Sequence, residues 1–142
     1  MRSYPNPMNR HDATMEDMKI PGSHLLEATL GEWSWAEIVH ITGLTYSVDD
    51  STTGRTTLSI ETSWRDTLSG FCRCEATVVF RGVTQLSLKA VGGPIQTGGF
   101  YVDDIRDRGW SDIRYEVGDF ETGVLSLYCE LVEIAHVRPH PR

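Results

Sequence analysis

Two adjoining stretches near the C-terminus, SDIRYEVGD (residues 111–119) and VLSLYCELVEIAHV (residues 124–137), decide the fold of this chain. Apolar and polar side chains alternate along both stretches, which is the pattern of half-buried β-strands. The four residues between them, Phe120-Glu121-Thr122-Gly123, have the length of a hairpin connection and end in glycine. The sequence therefore predicts an antiparallel hairpin with an inward face formed by Ile113, Tyr115, Val117, Leu125, Leu127 and Cys129.

The same alternation recurs upstream of this hairpin, between short runs of turn-forming residues. Gly43 interrupts the first of these strands, and an isolated glycine within a strand often marks a bulge. The chain is predicted to be mainly β, an antiparallel sheet or sandwich of about six strands. The four further strands are predicted at Trp35–Val48, Thr56–Trp64, Phe71–Phe80 and Val83–Ala90.

A short N-terminal helix is predicted over His24–Leu30, with Ser23 as its N-cap and Gly31 as its end. Residues 1–22 carry few apolar side chains and several prolines, which is typical of an extension. We therefore divide the chain into an N-terminal extension (1–22), a single β-rich domain (23–137) and a short tail (138–142).

The charge of the chain limits its partners. The 142 residues carry a net charge of −7, and the isoelectric point is near 5.1. A nucleic acid is excluded as a partner, because binding phosphates requires a basic footprint. An acidic protein attracts basic partners instead.

The sequence predicts a cytoplasmic protein without a membrane segment. No apolar stretch has the length of a membrane span, and the N-terminus lacks the apolar middle region of a secretory signal. The three cysteines, Cys72, Cys74 and Cys129, are an odd number, which indicates a reducing compartment rather than a disulfide framework.

The residues that could carry chemistry do not form a complete catalytic or metal site in the sequence. Cys72-Arg73-Cys74, with Cys129, offers three thiols, but structural zinc takes four ligands at wider spacing. His11-Asp12 lacks the further ligands that a metal-dependent hydrolase needs, and no serine lies in a nucleophile-elbow sequence. We predict no enzyme activity, no metal and no cofactor.

An acidic tract between Tyr101 and Glu121 is the best candidate for a functional surface. Its seven carboxylates against three arginines leave a charge of −4. Clustered carboxylates steer a basic partner, and an aromatic residue supplies a buried anchor. The alternative is a solvated sheet edge whose charge prevents aggregation. The predicted partner-binding residues are Asp103, Asp104, Asp107, Trp110, Asp112, Glu116, Asp119 and Glu121.

Residues 33–131 resemble small bacterial β-rich immunity proteins, which accompany polymorphic toxins and neutralise them by binding. The resemblance lies in the runs WAEIVHI (35–41), TLSIE (57–61), VFRGV (79–83), YEVGD (115–119) and GVLSLYC (123–129). Ser34-Trp35-Ala36 stands where such proteins often have His-Asp-Ala, which occurs here at His11–Ala13. The resemblance implies a non-catalytic binding protein that neutralises a basic toxin domain.

Two other functions remain open at this point. The glycine-rich stretch Val91–Gly99 could act as a lid over a pocket, which would make the chain a small-molecule-binding or hydrolytic domain. The chain could also be a structural or assembly subunit in which exposed strand edges pair with neighbours.

Overall fold

A computed structural model describes residues 20–50, 54–89 and 95–140, with the backbone alone at Asp50. These residues form nine β-strands, one α-helix and two short 3₁₀ helices. The strands make two antiparallel sheets, which confirms the predicted mainly β fold. His11–Ala13, most of the predicted N-terminal extension and residues 91–94 of the predicted lid lie outside the described residues.

The two sheets contain strands from both ends of the chain. The first sheet has the order β5-β1-β2-β3-β9, and the second has the order β4-β8-β7-β6. The strands are β1 (Ile38–Asp50), β2 (Arg55–Arg65), β3 (Cys72–Arg81), β4 (Thr84–Leu88), β5 (Ile95–Gln96), β6 (Phe100–Asp104), β7 (Tyr115–Asp119), β8 (Leu125–Cys129) and β9 (Leu131–Pro139). The helix α1 covers Ser23–Leu30, and the 3₁₀ helices cover Trp35–Glu37 and Arg106–Arg108.

The bulge predicted at Gly43 is present, because the register of β1 against β2 shifts between Ile41 and Gly43. The helix is also present, but its N-cap is Gly22 rather than Ser23. Gly22 has a φ of 85°, and a Cβ there would lie 1.9 Å from the carbonyl oxygen of Ile134. Only glycine combines this left-handed conformation with so close an approach to β9.

The chain keeps a regular structure beyond Val137, the last residue of the predicted domain. Strand β9 continues to Pro139, and the His140 N–H donates a hydrogen bond of 2.8 Å to the Arg73 carbonyl. Arg138 makes an ion pair with Glu75 on the neighbouring strand. These contacts place residues 138–140 of the predicted tail against the first sheet.

The structure has nine strands in its described residues where the sequence predicted about six. Two of the additional strands, β5 and β6, lie in stretches where no strand was predicted. The third arises because residues 124–137 form two strands, β8 and β9, in different sheets. The preceding strand is shorter than predicted, since residues 111–114 precede β7.

The alternation of side chains reverses where β8 gives way to β9. Continued alternation beyond Cys129 predicts that Leu131 faces inward, but this residue is 45% exposed. The neighbouring Val132 is 2% exposed and takes the inward position instead. The chain bends at Glu130, between the two strands.

The neighbouring strand bends at the same point. Strand β3 leads through Gly82 and Val83 into β4, so the paired strands β3 and β9 continue into the paired strands β4 and β8. The ladder is held at the corner by the Glu130 N–H, which donates to the Arg81 carbonyl at 2.9 Å. A single two-stranded ribbon thus folds over and contributes to both sheets, as strands do at the corners of packed sheets.

One apolar core joins the two sheets. Trp64 is fully buried in it, and its Nε1–H donates to the hydroxyl of Thr62 at 2.7 Å. An aromatic cluster surrounds this ring: Trp33 and Trp35 lie 5.5 and 5.7 Å away between ring centroids, and Trp35 lies 6.3 Å from Phe100 on the second sheet. Fully buried core residues include Leu58, Ile60, Val78 and Phe80 from the first sheet and Val117, Leu125 and Leu127 from the second.

Replacing Gly82 tests the corner. Gly82 has a φ of 69°, and an added Cβ would lie 2.9 Å from the Cβ of Glu130. We expect Gly82→Ala to lower the free energy of unfolding by about 2–3 kcal/mol through the left-handed backbone and the clash. Gly70→Ala is the matched control, because Gly70 has a φ of 75° and nothing within 4 Å of its added Cβ.

The control should lose only about 1 kcal/mol, the cost of the backbone conformation alone. Urea denaturation monitored by tryptophan fluorescence measures both variants. An equal loss for the two variants would show that the approach of Gly82 to Glu130 does not constrain the fold.

Candidate functional site

The outward face of the second sheet brings together aromatic and acidic side chains from three neighbouring strands. On β6 and β7, the inward residues Phe100, Val102 and Val117 are buried, so the intervening residues point outward. Asp103 lies directly opposite Glu116, and Glu116 lies opposite Tyr128 on β8. We call this surface the acid–aromatic face; it consists of Tyr101, Asp103, Trp110, Glu116, Phe120 and Tyr128.

At one end of the acid–aromatic face, two rings stack over a glycine. The centroids of Tyr101 and Phe120 lie 4.1 Å apart with an angle of 24° between the ring planes. Tyr101 lies opposite Gly118 on β7, where an added Cβ would come within 2.8 Å of the Tyr101 hydroxyl. The glycine therefore leaves room for the tyrosine to lie flat, and Phe120 remains 72% exposed.

At the other end, Trp110 packs edge-on against Tyr128, with 5.4 Å between the ring centroids. The guanidinium of Arg108 lies 5.5 Å from the Trp110 ring centroid and 3.3 Å from a Glu116 carboxylate oxygen. This is a cation–π contact joined to an ion pair. The Trp110 side chain is 46% exposed, so much of it remains accessible to solvent.

Between the two aromatic pairs, Asp103 carries a charge that the described residues do not pair. None of them makes an ion pair with Asp103, and Glu116 faces it across the strands. Burial and then repulsion by Glu116 raise the pKa of Asp103, while Arg108 opposes the shift. The pKa of Tyr101 is raised as well, by burial and then by Glu116 and Asp103. A cation bound here would relieve the repulsion between these groups.

The structure brings three of the eight predicted partner-binding residues together on this face: Asp103, Trp110 and Glu116. Asp104 points to the opposite side of β6, where its carboxylate lies 3.0 Å from Arg106 Nε and 3.6 Å from Arg114 Nε. These contacts give Asp104 a structural role at the end of the strand.

Asp119 is buried and holds the turn of the hairpin. Its carboxylate accepts hydrogen bonds from the N–H groups of Glu121 and Thr122, from the Thr122 hydroxyl at 2.5 Å and from the Gly98 N–H. Because these donors already surround the carboxylate, it stabilises the turn rather than presenting a charge to a partner.

The last three predicted residues are exposed but lie apart from one another. Asp107 belongs to the 3₁₀ helix after β6, and Glu121 lies in the hairpin turn beside Gly98. Asp112 lines an open cleft of about 630 Å³ at the corner of the two sheets, with Arg55 and Glu130 among the other lining residues. Arg55 and Glu130 form an ion pair of 2.5 Å in the wall of this cleft.

The sequence did not identify Tyr101, Phe120 and Tyr128 as part of the site. The outward position of Tyr128 followed from the alternation of β8, but its neighbours across the sheet did not. Tyr101 belongs to β6, where no strand was predicted, and Phe120 belongs to the hairpin turn. Their contacts depend on the register of β6, β7 and β8, which no local pattern specifies.

The described residues contain no group of three or more histidine, cysteine or acidic side chains placed to hold a metal. Cys74 and Cys129 are buried in the core, where burial raises the pKa of their thiols to about 11 and about 12 respectively. Cys72, the first residue of β3, is exposed. Thiols with raised pKa values are poor nucleophiles and metal ligands.

The described part of the predicted lid, residues 95–99, lines neither the cleft at the corner of the two sheets nor a second cleft beside Trp33. Ile95 and Gln96 pair with β1 instead, and the Thr97 hydroxyl donates to the Ile38 carbonyl at 2.6 Å. The second cleft, of about 540 Å³, lies beside Trp33 and Leu68 at the other end of the first sheet. No helix among the described residues has the length and apolar character needed to cross a membrane.

The fold and this face define the chain as a two-sheet antiparallel β protein with an exposed acidic and aromatic surface. No protein family, curated protein or solved structure was found to match it.

Replacing Asp103 should stabilise the protein. The raised pKa means that the folded state favours the protonated carboxyl, so stability is lost as the pH rises through the folded-state pKa of Asp103. Asp103→Asn removes a like-charge pair across two strands, which is worth about 0.5 kcal/mol at neutral pH. The gain should vanish below the ordinary pKa range of aspartate, where wild type is protonated.

Urea denaturation at a series of pH values measures this gain. The control is Glu27→Gln, which removes the same charge from an exposed residue of α1 and should leave stability unchanged. A loss of stability in Asp103→Asn at neutral pH would mean that the carboxylate supports the fold.

Proposed function

We propose that this protein is a non-catalytic binding protein of the immunity type, which neutralises a basic protein partner in the cytoplasm. The acid–aromatic face is the surface that covers the partner. The observation that carries the proposal is Asp103, which makes no ion pair with any described residue and lies beside Glu116, between two pairs of aromatic rings of which Phe120 and Trp110 are exposed.

The chemistry of the face suits arginine or lysine side chains of a partner. Carboxylates pair with these cations, and aromatic rings accept a guanidinium on their faces. Arg108 already makes such a contact within the chain, over Trp110 and against Glu116. The stacked rings of Tyr101 and Phe120 offer a second aromatic surface of the same kind near Asp103.

Two broader features support a basic protein partner. The net charge of −7 attracts cations over a distance and increases the rate of encounter. The exposed aromatic rings supply the apolar anchors that contribute most of the binding free energy in protein interfaces. The resemblance of residues 33–131 to immunity proteins agrees with both.

Recovery of the partner from the native host tests the proposal. Tagged wild-type protein and the matched control Glu27→Gln should capture the same basic protein, identified by mass spectrometry. Trp110→Ala should weaken its binding at least about tenfold, because an aromatic anchor is lost. Asp103→Asn should also weaken binding while it stabilises the fold. Capture of no basic partner, or equal binding by all four proteins, would contradict the proposal.

The affinity should depend on pH in a direction set by Asp103. Because the pKa of Asp103 is raised in the unbound protein, a cationic partner binds the ionised form better and releases a proton. The affinity for the captured partner should therefore rise with pH through the range just above the ordinary pKa of aspartate.

Isothermal titration calorimetry in buffers of different ionisation enthalpy measures this proton release directly. Asp103→Asn should reduce the release, whereas Glu27→Gln should not. An uptake of protons on binding would contradict a cationic contact at Asp103.

A further inference from the structure

One guanidinium of the chain itself lies on the acid–aromatic face. The Arg108 guanidinium carbon is 5.5 Å from the centroid of the Trp110 ring, and its Nη2 group donates to a Glu116 carboxylate oxygen at 3.3 Å. Trp110 in turn packs edge-on against Tyr128. A planar cation over an aromatic ring and beside a carboxylate is a common arrangement for binding an arginine side chain. The face therefore contains a formed guanidinium site, and Arg108 occupies it.

The connection between β6 and β7 brings Arg108 to this position. Arg108 is the last residue of the second 3₁₀ helix, and its N–H donates to the Ile105 carbonyl at 3.0 Å. Gly109 follows with a φ of 74°, so its left-handed backbone ends the helix directly before Trp110. The Ile105 N–H closes the base of the connection by donating to the Arg114 carbonyl at 2.7 Å. The backbone is thus held at the base of the connection, and Arg108 reaches the face with its side chain.

The contacts that hold the Arg108 side chain are weak. This side chain is 46% exposed and that of Glu116 is 29% exposed, so water screens the ion pair. The separation of 3.3 Å is long for a charge-assisted hydrogen bond, which is usually about 2.7–2.9 Å. An exposed cation–π contact adds little to such a pair. Arg108 can therefore leave the face for solvent at a small cost in free energy.

Arg108 also leaves part of the site unused. Asp103 lies directly opposite Glu116 across β6 and β7, and it makes no ion pair with any described residue. Residues opposite each other on neighbouring strands have Cβ atoms about 5 Å apart. A guanidinium carries five N–H donors in one plane, so a single group can bond to two carboxylates. An arginine that approaches from a partner can pair with both Asp103 and Glu116.

We propose that Arg108 occupies, in the unbound protein, the position that an arginine side chain of the basic partner takes in the complex. This inference rests on the proposed function, because it identifies the group that the partner places on the face. On binding, the incoming guanidinium stacks on Trp110 and pairs with Asp103 and Glu116, while Arg108 moves into solvent. Arg108 is then an internal competitor of the partner.

The site selects arginine over lysine because of the shape of the two cations. A guanidinium is planar and can stack on the Trp110 ring while its edge faces the carboxylates. An ammonium is a compact charge without a flat surface, and it is more strongly hydrated. The ring and the carboxylate that hold Arg108 therefore favour an arginine of the partner.

A purely structural role for Arg108 predicts the opposite effect on binding. If Arg108 holds Trp110 and Glu116 in place for a partner that binds beside it, removing Arg108 weakens binding. If Arg108 competes with the partner, removing it strengthens binding even though the fold loses an ion pair. The sign of the change in affinity therefore separates the two roles.

Titration of the full chain with two short peptides tests the proposal. The probes are a capped pentapeptide with two arginines between glycines and the same peptide with two lysines. NMR shifts of the Trp110 indole N–H give the dissociation constant in about 0.15 M NaCl, where long-range attraction is largely screened. Arg108→Gln should lower the dissociation constant for the arginine peptide at least about threefold, because no internal ion pair is displaced. The lysine peptide should bind this variant at least about threefold more weakly than the arginine peptide.

Arg106→Gln is the matched control for charge. It removes the same charge from the same 3₁₀ helix, but Arg106 contacts Asp104, which points to the opposite side of β6. This variant should bind the arginine peptide as wild type does. An equal gain in affinity for Arg106→Gln and Arg108→Gln would reflect net charge alone and would overturn the proposal. Unchanged, weaker or undetectable binding by Arg108→Gln would overturn it as well.

A second variant keeps the test decisive if Arg108→Gln does not fold, which its thermal midpoint shows. Arg108→Lys keeps the charge but loses the planar donor group, so it should also bind the arginine peptide more tightly than wild type. An affinity equal to that of wild type or weaker would overturn the proposal.

Capture of the partner from the host judges the proposed function separately. If wild type captures a basic protein and the peptide affinity of Arg108→Gln is unchanged, the proposed function stands and the competitor role of Arg108 is wrong. If Arg108→Gln binds the arginine peptide more tightly and no partner is captured, the arginine site stands and the proposed function is wrong.

Discussion

The bend of one two-stranded ribbon at Gly82 and Glu130 is the constraint on which the rest of the structure depends. The ribbon enters the first sheet as β3 and β9 and the second sheet as β4 and β8. Its bend turns the inward sides of the two sheets toward each other, so that both bury their apolar residues in one core. The left-handed backbone of Gly82 and its contact with Glu130 allow the turn without loss of the ladder.

The bend also determines which side chains of the second sheet face outward. With their inward residues committed to the core, β6, β7 and β8 carry Asp103, Glu116 and Tyr128 on the outward face. The cross-strand pair of carboxylates opposes folding, because burial and mutual repulsion disfavour the ionised form of Asp103. A bound cationic partner would instead favour the ionised form of Asp103. Stability and binding are therefore expected to respond oppositely to the same substitution.

Several elements followed directly from local patterns. The alternation in residues 56–64 and 71–80 predicted β2 and β3 to within one residue at each end, and the isolated Gly43 predicted the bulge in β1. The change of sheet at Glu130 was not predicted, although the adjacent apolar pair Leu131-Val132 breaks the alternation there. A break of this kind indicates a bend or a bulge, but it does not show that the two halves pair with different neighbours.

The sequence by itself determined most of the strands and most of the inward residues, because side chains alternate across a strand whatever its neighbours are. Only the tertiary structure decided which acidic residues form a surface. Asp103 and Glu116 face each other outward, whereas Asp104 pairs with arginines and Asp119 is enclosed by its turn. These four residues look alike in the sequence. Their differences arise from strand register and burial, which depend on residues distant along the chain.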